Sequence, residues 1–382
     1  MNRRLQNALV RAQERRHALA ADEIAALLAL TDPDDLAALH RAAYAVKVRH
    51  IGKQVSLRGI IEMGNVCAKN CFYCGIRAGN GAVSRFQLDE QTVLRAARRN
   101  LELGYGSLVL QSGEIESEAH TAFIERLLHQ ITALSDGAQG ITLSLGEQSR
   151  ETYARWRAAG AHRYLLRIET SSHELYTRLH PADHRFDRRV DCLRSLRDCG
   201  YQVGSGVMIG LPGQTVDHLA ADVLFFRDHD LDMIGMGPYL PHPDTPLGRE
   251  RAFTPGDAAR QLRLGLNMIA VTRLFLHDTN IAATTALQAL ADDGREQGLL
   301  AGANVIMPNV TDTEYRSRYQ LYANKPCLDE NAAQCRTCLA GRIAVIGETI
   351  LWNQRGDSPH FFARTAGSPG KRDLTDTAVD NA

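Results

Sequence analysis

The stretch SLRGIIEMGNVCAKNCFYC, residues 56–74, joins an apolar run to three closely spaced cysteines. Its first half, Leu57–Met63, opens a series of eight short apolar runs, which continues at 107–111, 141–145, 164–168, 203–209, 233–239, 280–285 and 304–307. Stretches of helical periodicity lie between successive runs, near 89–103, 118–134, 149–159, 188–199, 215–229, 257–274 and 292–299. Repeated βα units require a parallel sheet. Eight units over about 250 residues predict an α/β fold, the (β/α)8 TIM barrel, with a doubly wound open sheet as the rival.

The barrel is predicted to carry additions at both ends of the chain. Leu5 and Leu9 share one helical face, and Pro33 stands near the start of a further helix, so the N-terminal segment reads as a helical cap. The C-terminal tail is rich in Gly, Pro, Asp and Thr, which is typical of disorder. The predicted divisions are a cap over 1–55, the barrel over 56–310, a cysteine-bearing extension over 311–365 and a disordered tail over 366–382.

Composition excludes several classes of protein. The chain has 382 residues, with 44 basic and 44 acidic side chains, so no net charge favours nucleic acid or an anionic membrane as partner. No apolar stretch reaches the roughly 20 residues that span a bilayer. The first 16 residues are rich in Arg and Gln and have no apolar core of a secretory signal. We therefore expect a cytoplasmic protein that binds neither nucleic acid nor membrane.

The eight cysteines fall into three groups. Three stand at 67, 71 and 74, two at 192 and 199, and three at 327, 335 and 338. A cytoplasmic protein keeps its thiols reduced, so two sets of three indicate metal clusters rather than disulfides. Cys192 and Cys199 lie two helical turns apart, and we expect them to be packing residues.

The first triplet, Cys67, Cys71 and Cys74, has the spacing C-x3-C-x2-C and follows the first predicted strand. Three thiolates this close suit an iron–sulfur cluster, and three ligands for four irons leave one iron open to an exogenous ligand. Structural zinc is the alternative, but it needs a fourth Cys or His, and residues 51–89 contain none. The spacing therefore favours a catalytic cluster.

Polar residues end five of the predicted strands, in the segments 111–114, 144–147, 167–170, 210–213 and 283–285. The C-terminal ends of barrel strands form the active-site face. Gly and polar residues are common in any single turn between a strand and a helix. Five such turns together predict one composite site at the same end of the barrel as the cysteines.

The cysteine loop resembles the signature of the radical S-adenosylmethionine (radical SAM) superfamily. The resemblance implies that Cys67, Cys71 and Cys74 hold a 4Fe-4S cluster. Its open iron would bind the methionine part of S-adenosyl-L-methionine (SAM), and reduction would cleave SAM to a 5′-deoxyadenosyl radical. A closed barrel suits this chemistry because it keeps a reactive radical from water.

Several blocks are similar to one branch of that superfamily, the HydE family of FeFe-hydrogenase maturases. These blocks are NVCAKNCFYCGIR at 65–77, LQSGE at 110–114, TLSLGE at 142–147, YLLRIET at 164–170, GLPGQT at 210–215, PHPDTP at 241–246, ATTA at 283–286 and GANVIMP at 302–308. The resemblance implies SAM-binding roles for Tyr73, Ser112, Gly113, Glu114, Ser144, Glu169, Arg189 and Met208. It implies a substrate cavity lined by Arg58, Gln111, Thr142, Arg167, Thr284, Thr285, Met307 and Tyr322. Buried Arg58 and Arg167 would favour an anionic substrate.

The second triplet, Cys327, Cys335 and Cys338, resembles the auxiliary-cluster cysteines of some HydE proteins. We expect a second cluster there, 2Fe-2S or 4Fe-4S, that the radical step does not need. The family further implies a small organometallic iron complex as substrate, an electron donor such as a ferredoxin or flavodoxin, and other hydrogenase maturases as partners. The alternatives are a radical SAM enzyme like biotin synthase or methylornithine synthase, and a non-catalytic iron–sulfur carrier or scaffold.

Overall fold

Three helices precede the first strand in the computed structural model, which describes residues 1–366. They are α1 (Arg3–Glu14), α2 (Ala21–Leu28) and α3 (Pro33–His50). The carboxylate of Asp32 accepts hydrogen bonds from the backbone N–H groups of Asp34 and Asp35, at 3.0 and 3.1 Å. With Pro33 in the first turn, this cap explains why α3 begins where it does.

Short parallel strands form the centre of the molecule. They are β1 (Gln54–Gly64), β2 (Ser107–Ser112), β3 (Gly140–Ser144), β4 (Arg163–Leu165), β5 (Gln202–Ser205), β6 (Met208–Ile209), β7 (Met233–Ile234), β8 (Gly237–Pro238), β9 (Asn280–Ile281) and β10 (Val305–Ile306). Their order is β10-β1-β2-β3-β4-β5-β7-β9, and β6 and β8 continue β5 and β7 after a break. A parallel bridge between Ala282 and Val305 joins β9 to β10 and closes the ring. The predicted eight-stranded barrel is confirmed.

Helices surround the barrel on the outside. They are α4 (Glu90–Glu102), α5 (Glu118–Leu134), α6 (Arg150–Ala158), α7 (His173–Leu179), α8 (Phe186–Asp198), α9 (Val216–Asp228), α10 (Pro255–Leu276), α11 (Thr285–Leu290) and α12 (Gly294–Leu300). Helices α5, α6 and α9 are capped at their N-termini by Ser117, Ser149 and Thr215. Each hydroxyl accepts a hydrogen bond from the backbone N–H three residues further on. Most of α10 is buried because the first helices cover it: both α2 and α3 pack on α10, and α2 also packs on α9.

The C-terminal segment contains α13 (Thr313–Arg316), α14 (Ala332–Val345), β11 (Thr349–Leu351) and α15 (Pro359–Ala366), and β11 pairs with the start of β1. Its residues 349–357 cover the end of the barrel opposite Cys67, Cys71 and Cys74. The carbonyl oxygen of Gly356 accepts from Arg58 and from Asn280, both at 3.0 Å. Asp357 pairs with the Arg163 guanidinium at 3.0 Å. Among residues 1–366, these contacts cover one end of the barrel and leave the cysteine-bearing mouth as the candidate site.

Some of the sequence predictions fall outside these observations. The divisions at 55/56 and 310/311 stay predictions. The tail predicted to be disordered, 366–382, lies outside the described residues apart from Ala366, which ends α15. Within residues 1–366, none of the helices is long and apolar enough to cross a membrane.

Candidate active site

The cysteine loop lies between β1 and α4, at the C-terminal ends of the strands. Cys67, Cys71 and Cys74 are all partly buried, unpaired thiols. The backbone N–H of Ala68 donates to the carbonyl of Glu114 at 2.8 Å, and that of Phe72 donates to the carbonyl of Leu179 at 2.9 Å. Elements after β2 and β4 thus fix the loop across the mouth of the barrel.

The three thiols suit a cluster better than a single ion. No three Cys, His, Asp or Glu side chains of residues 1–366 lie close enough together to bind one metal ion. A 4Fe-4S cluster instead spreads its cysteines over separate irons. The N–H of Glu114 lies 3.3 Å from the Sγ of Cys67, and hydrogen bonds of this kind stabilise ligand sulfurs. Burial raises the pKa of the Cys71 thiol to about 12, and the positive charge of a bound metal would lower it.

The end of β2 packs directly against the cysteine loop. A Cβ atom on Gly113 would lie 2.2 Å from the carbonyl oxygen of Val66 and 2.7 Å from the Cβ of Cys67. Only glycine therefore fits at this position. Ser112, Gly113 and Glu114 lie beside the cysteines, and their predicted role in SAM binding stays a prediction.

A buried group of charges joins the cysteine loop to the strand ends. Glu147 has no exposed surface (0%), and its Oε1 accepts from Nε of Arg189 at 2.6 Å. Its Oε2 accepts from Nζ of Lys69 at 3.0 Å. Lys69 also lies 3.3 Å from Oε1 of Glu114, whose Oε2 accepts from the N–H of Glu147 at 2.8 Å. We call Lys69, Glu114, Glu147 and Arg189 the mouth charge cluster.

The pKa values of the two carboxyl groups in the mouth charge cluster are shifted in opposite directions. Burial raises the pKa of Glu114 above its ordinary value, and the nearby Lys69 only partly offsets this. Burial also acts on Glu147, but the contacts with Arg189 and then with Lys69 outweigh it and lower its pKa. Glu147 is therefore the ionised centre that Lys69 and Arg189 share, and Nε of Arg188 also lies 3.3 Å from its Oε2.

The other predicted SAM-binding residues lie around the same mouth. Ser144 ends β3, and Glu169 follows β4 with a φ of 67°, a left-handed conformation that is uncommon for a residue with a side chain. The Glu169 carboxylate lies 3.0 Å from Nη2 of Arg167. Tyr73 packs against an apolar group that includes Met208 on β6. The structure thus places Tyr73 and Met208 in one apolar group at the mouth, and their predicted role in SAM binding stays a prediction.

The predicted substrate-cavity residues are spread along the depth of the barrel. Gln111 lies on β2 and Thr142 on β3. The other residues lie toward the mouth: Arg167 follows β4, Thr284 and Thr285 follow β9, Met307 follows β10, and Tyr322 lies in the segment after α13. The hydroxyls of Thr142 and Thr284 are buried and have no hydrogen-bond partner among residues 1–366. Such unpaired hydroxyls are costly unless a ligand pairs with them, so they fit a polar substrate.

Arg58 lies apart from that group, at the closed end of the barrel. It is in register with Ser107, the first residue of β2. Its guanidinium is fully buried and contacts Sδ of Met233, on the other side of the barrel, at 2.7 Å. With Nη2 donating to Gly356, this arginine closes the floor of the barrel rather than lining its mouth.

The second triplet lies beside α12. Cys335 is buried and Cys338 exposed on α14, and the Sγ of Cys327 lies 3.6 Å from Nη2 of Arg295. Arg316 donates to the carbonyl of Cys327 at 2.9 Å and so fixes its loop. Burial raises the pKa of Cys335 to about 11. The geometry gives the sulfurs a positively charged surrounding, and the second cluster itself stays a prediction.

The segment that carries Cys327 is also linked to β1. Lys325 forms an ion pair with Glu62, and its ammonium group lies 5.3 Å from the centre of the Tyr319 ring. Asn309 donates to the second oxygen of Glu62 at 3.0 Å. The second triplet is therefore attached to the strand that leads into the first. Cys192 and Cys199 are separate from both triplets, with their thiols 3.7 Å from the carbonyls of Gln148 and Arg150.

The sequence reasoning missed three residues of the site: Lys69, Arg85 and Glu147. Glu147 could have been found, because it belongs to one of the polar strand ends that predicted the site. Lys69 lies inside the cysteine motif, where its charge gave no separate signal. Arg85 contacts backbone carbonyls only, and such contacts leave no pattern in a sequence.

A closed parallel barrel with a three-cysteine loop at its mouth defines the class of radical SAM enzymes. The profile of the Radical SAM superfamily matches residues 61–226. The chain is 42% identical to the FeFe hydrogenase maturase subunit HydE of Thermotoga maritima, over 84% of this chain and 88% of the relative. The chain therefore belongs to the HydE family of radical SAM enzymes.

Other relatives are more distant. The 3-methylornithine synthase of Methanosarcina acetivorans is 27% identical over 75% of this chain and 79% of its own. Among solved structures, methylornithine synthase PylB superposes with a TM-score of 0.77 at 23% identity, over 91% of this chain and 98% of its own. The maturase HydG of Carboxydothermus hydrogenoformans gives a TM-score of 0.75 at 19% identity, over 91% and 79%. These two structures support the fold alone.

Proposed function

We propose that this enzyme acts in maturation of the FeFe-hydrogenase active site, as its HydE relative is named to do. The observation that carries the proposal is 42% identity over most of both chains, against 27% for the methylornithine and biotin synthases. The proposal includes a cytoplasmic location and a small organometallic iron substrate. It also includes a ferredoxin- or flavodoxin-like electron donor and other maturases as partners.

The residues at the mouth fit the cofactors of this family. Cys67, Cys71 and Cys74 would hold a 4Fe-4S cluster, and bound SAM would supply a 5′-deoxyadenosyl radical upon reduction. Arg189, which Glu147 holds in the mouth charge cluster, would pair with the SAM carboxylate. Nε and Nη1 of Arg189 are used, toward Glu147 and toward the carbonyl of Arg167. The remaining Nη2 has no hydrogen-bond acceptor among residues 1–366, which supports its use by a ligand.

The barrel interior supports a polar or anionic substrate. The unpaired, buried Thr142 and Thr284 hydroxyls offer hydrogen bonds to a ligand, and the segment around Gly356 covers the end of the barrel at Arg58. Such cover would keep water from a radical reaction. Cys327, Cys335 and Cys338 would hold the auxiliary cluster, with Arg295 beside one sulfur. That cluster lies outside the mouth charge cluster, which supports a role other than SAM cleavage.

A maturation assay tests the proposal. Apo-hydrogenase is activated in a cell-free mixture of maturases that lacks HydE, with this chain added under anaerobic conditions. We expect hydrogen evolution with the wild-type chain and none with Cys71→Ala. Parallel incubations with dethiobiotin or lysine test the biotin- and methylornithine-synthase alternatives. Product from either substrate, without hydrogenase activation, would overturn the proposal.

A further inference from the structure

Arg85 lies at the base of the cysteine loop and binds only backbone carbonyls. Its Nη1 donates to the carbonyls of Asn65 at 2.6 Å and Ile76 at 2.7 Å. Its Nη2 donates to the carbonyls of Arg77 at 2.6 Å and Asn80 at 3.1 Å, with Ala78 further away at 3.5 Å. One guanidinium therefore donates to five carbonyl oxygens. We call Arg85 and these five carbonyls the carbonyl cage.

The carbonyl cage joins the two ends of the cysteine segment. Asn65 stands two residues before Cys67, and Ile76 stands two residues after Cys74. Both carbonyls bind the same nitrogen, so the entry and exit of the segment are held side by side. The segment 65–89 between β1 and α4 has no helix, so its carbonyls lack the partners that regular structure supplies.

Asn65 completes the base of the loop. It is fully buried, and its amide donates to the carbonyls of Ser84 at 2.9 Å and Arg318 at 2.8 Å. Its side-chain oxygen accepts from the N–H of Phe86 at 2.8 Å. The residues on both sides of Arg85 are thus fixed to the end of β1, which holds the guanidinium in place.

Arginine is the side chain that this arrangement requires. Carbonyl oxygens that converge repel one another, and a planar guanidinium with five N–H groups can satisfy several at once. Lysine has the same charge but only three donors around one nitrogen, so it cannot bridge both sides of the cage. A neutral side chain of similar length would leave the carbonyls without any partner.

We infer that Arg85 is a positioning residue for the iron–sulfur cluster, because it holds the cysteine segment in the geometry that the three ligands need. The inference rests on the proposed role of Cys67, Cys71 and Cys74 as cluster ligands. Arg85 acts through the backbone of the loop and is separate from the mouth charge cluster. Its loss should therefore change how firmly the cluster is held, with the barrel intact.

The test compares full-length Arg85→Lys and Arg85→Met with the wild type after anaerobic reconstitution with iron and sulfide. Arg98→Met is the matched control, because Arg98 is exposed on α4 and has no hydrogen bond among residues 1–366. The measurements are iron per chain, the rate of iron loss to a chelator, and the electron paramagnetic resonance (EPR) spectrum of the reduced cluster with and without SAM. Circular dichroism before reconstitution checks the fold.

Both Arg85 variants should lose iron at least about tenfold faster than the wild type and give a broadened EPR signal, since charge-assisted bonds to the loop are lost. Arg98→Met should match the wild type. If Arg85→Lys retained iron as well as the wild type, the inference would be wrong, because a positive charge alone would then be enough to hold the loop. Failure of the proposed function looks different: the wild type itself would bind no cluster, or Cys71→Ala would bind it equally well.

Discussion

Nε of Arg189 lies 2.6 Å from Oε1 of Glu147, a carboxylate that has no exposed surface (0%). Glu147 also accepts from Lys69, so one buried carboxylate connects the cysteine loop with the arginine predicted to bind SAM. A charge-assisted contact of this kind fixes the guanidinium before any ligand arrives, and fixed groups bind with a smaller loss of conformational freedom.

Glu147→Gln should weaken SAM binding by about tenfold or more, because Arg189 loses its charged partner. The measurement is equilibrium binding of SAM to the reconstituted protein, with iron content checked for equality. Glu151→Gln is the control, since Glu151 is exposed in the first turn of α6 and has no ion-pair partner among residues 1–366. Unchanged SAM affinity in Glu147→Gln would show that the ion pair does not position the arginine.

Cys335→Ala should reduce iron per chain while SAM cleavage continues, because Cys335 belongs to the second triplet on α14. Iron analysis and quantitation of 5′-deoxyadenosine on the same sample test this. Complete loss of cleavage in a folded variant would contradict an auxiliary role for the second triplet.

Asp222→Asn should remove one contribution to the pH dependence of the free energy of unfolding. Asp222 on α9 is fully buried, and burial raises its pKa to about 7, although the amide and hydroxyl of Ser171 both donate to it at 2.6 Å. The folded pKa lies above the unfolded value, so the wild type is stabilised most below about pH 4 and loses stability as pH rises toward 7. The asparagine variant cannot titrate.

The free energy of unfolding of Asp222→Asn, relative to the wild type, should therefore rise by about 2 kcal/mol between about pH 5.5 and pH 8. Denaturant unfolding of the iron-free proteins at both pH values measures it. Asp228→Asn, an exposed change on the same helix, should show no such rise. An equal difference at both pH values would mean that Asp222 keeps an ordinary pKa.

The barrel could be predicted because its strands are short apolar runs with helical patterns between them. The breaks within two strands could not, since they depend on contact between strands: a Cβ on Gly206 would lie 2.1 Å from the carbonyl oxygen of Gly235. The contacts at the floor of the barrel could not be predicted for a similar reason, because Arg58 donates to a backbone carbonyl about 300 residues away, at Gly356. The place of Arg58 in a substrate cavity stays a prediction.

The site was predictable where side chains carry the chemistry. The cysteine spacing and the polar strand ends predicted a composite site at the mouth, and Ser112, Gly113 and Glu114 lie there. The roles of Arg85 and Lys69 depend on which loop atoms converge in the folded chain. No spacing rule gives that information: Arg85 binds backbone carbonyls, which any sequence offers, and Lys69 pairs with carboxylates that follow two other strands.

The central claim is that the three-cysteine loop at the barrel mouth supports radical SAM chemistry. It is tested most directly by 5′-deoxyadenosine formation after anaerobic reconstitution with iron and sulfide, followed by dithionite and SAM. We expect the wild type and Cys199→Ser to form it, since Cys199 lies outside both triplets, and Cys71→Ala to form none. No 5′-deoxyadenosine from a wild type that has bound its iron, or undiminished formation by Cys71→Ala, would contradict the account.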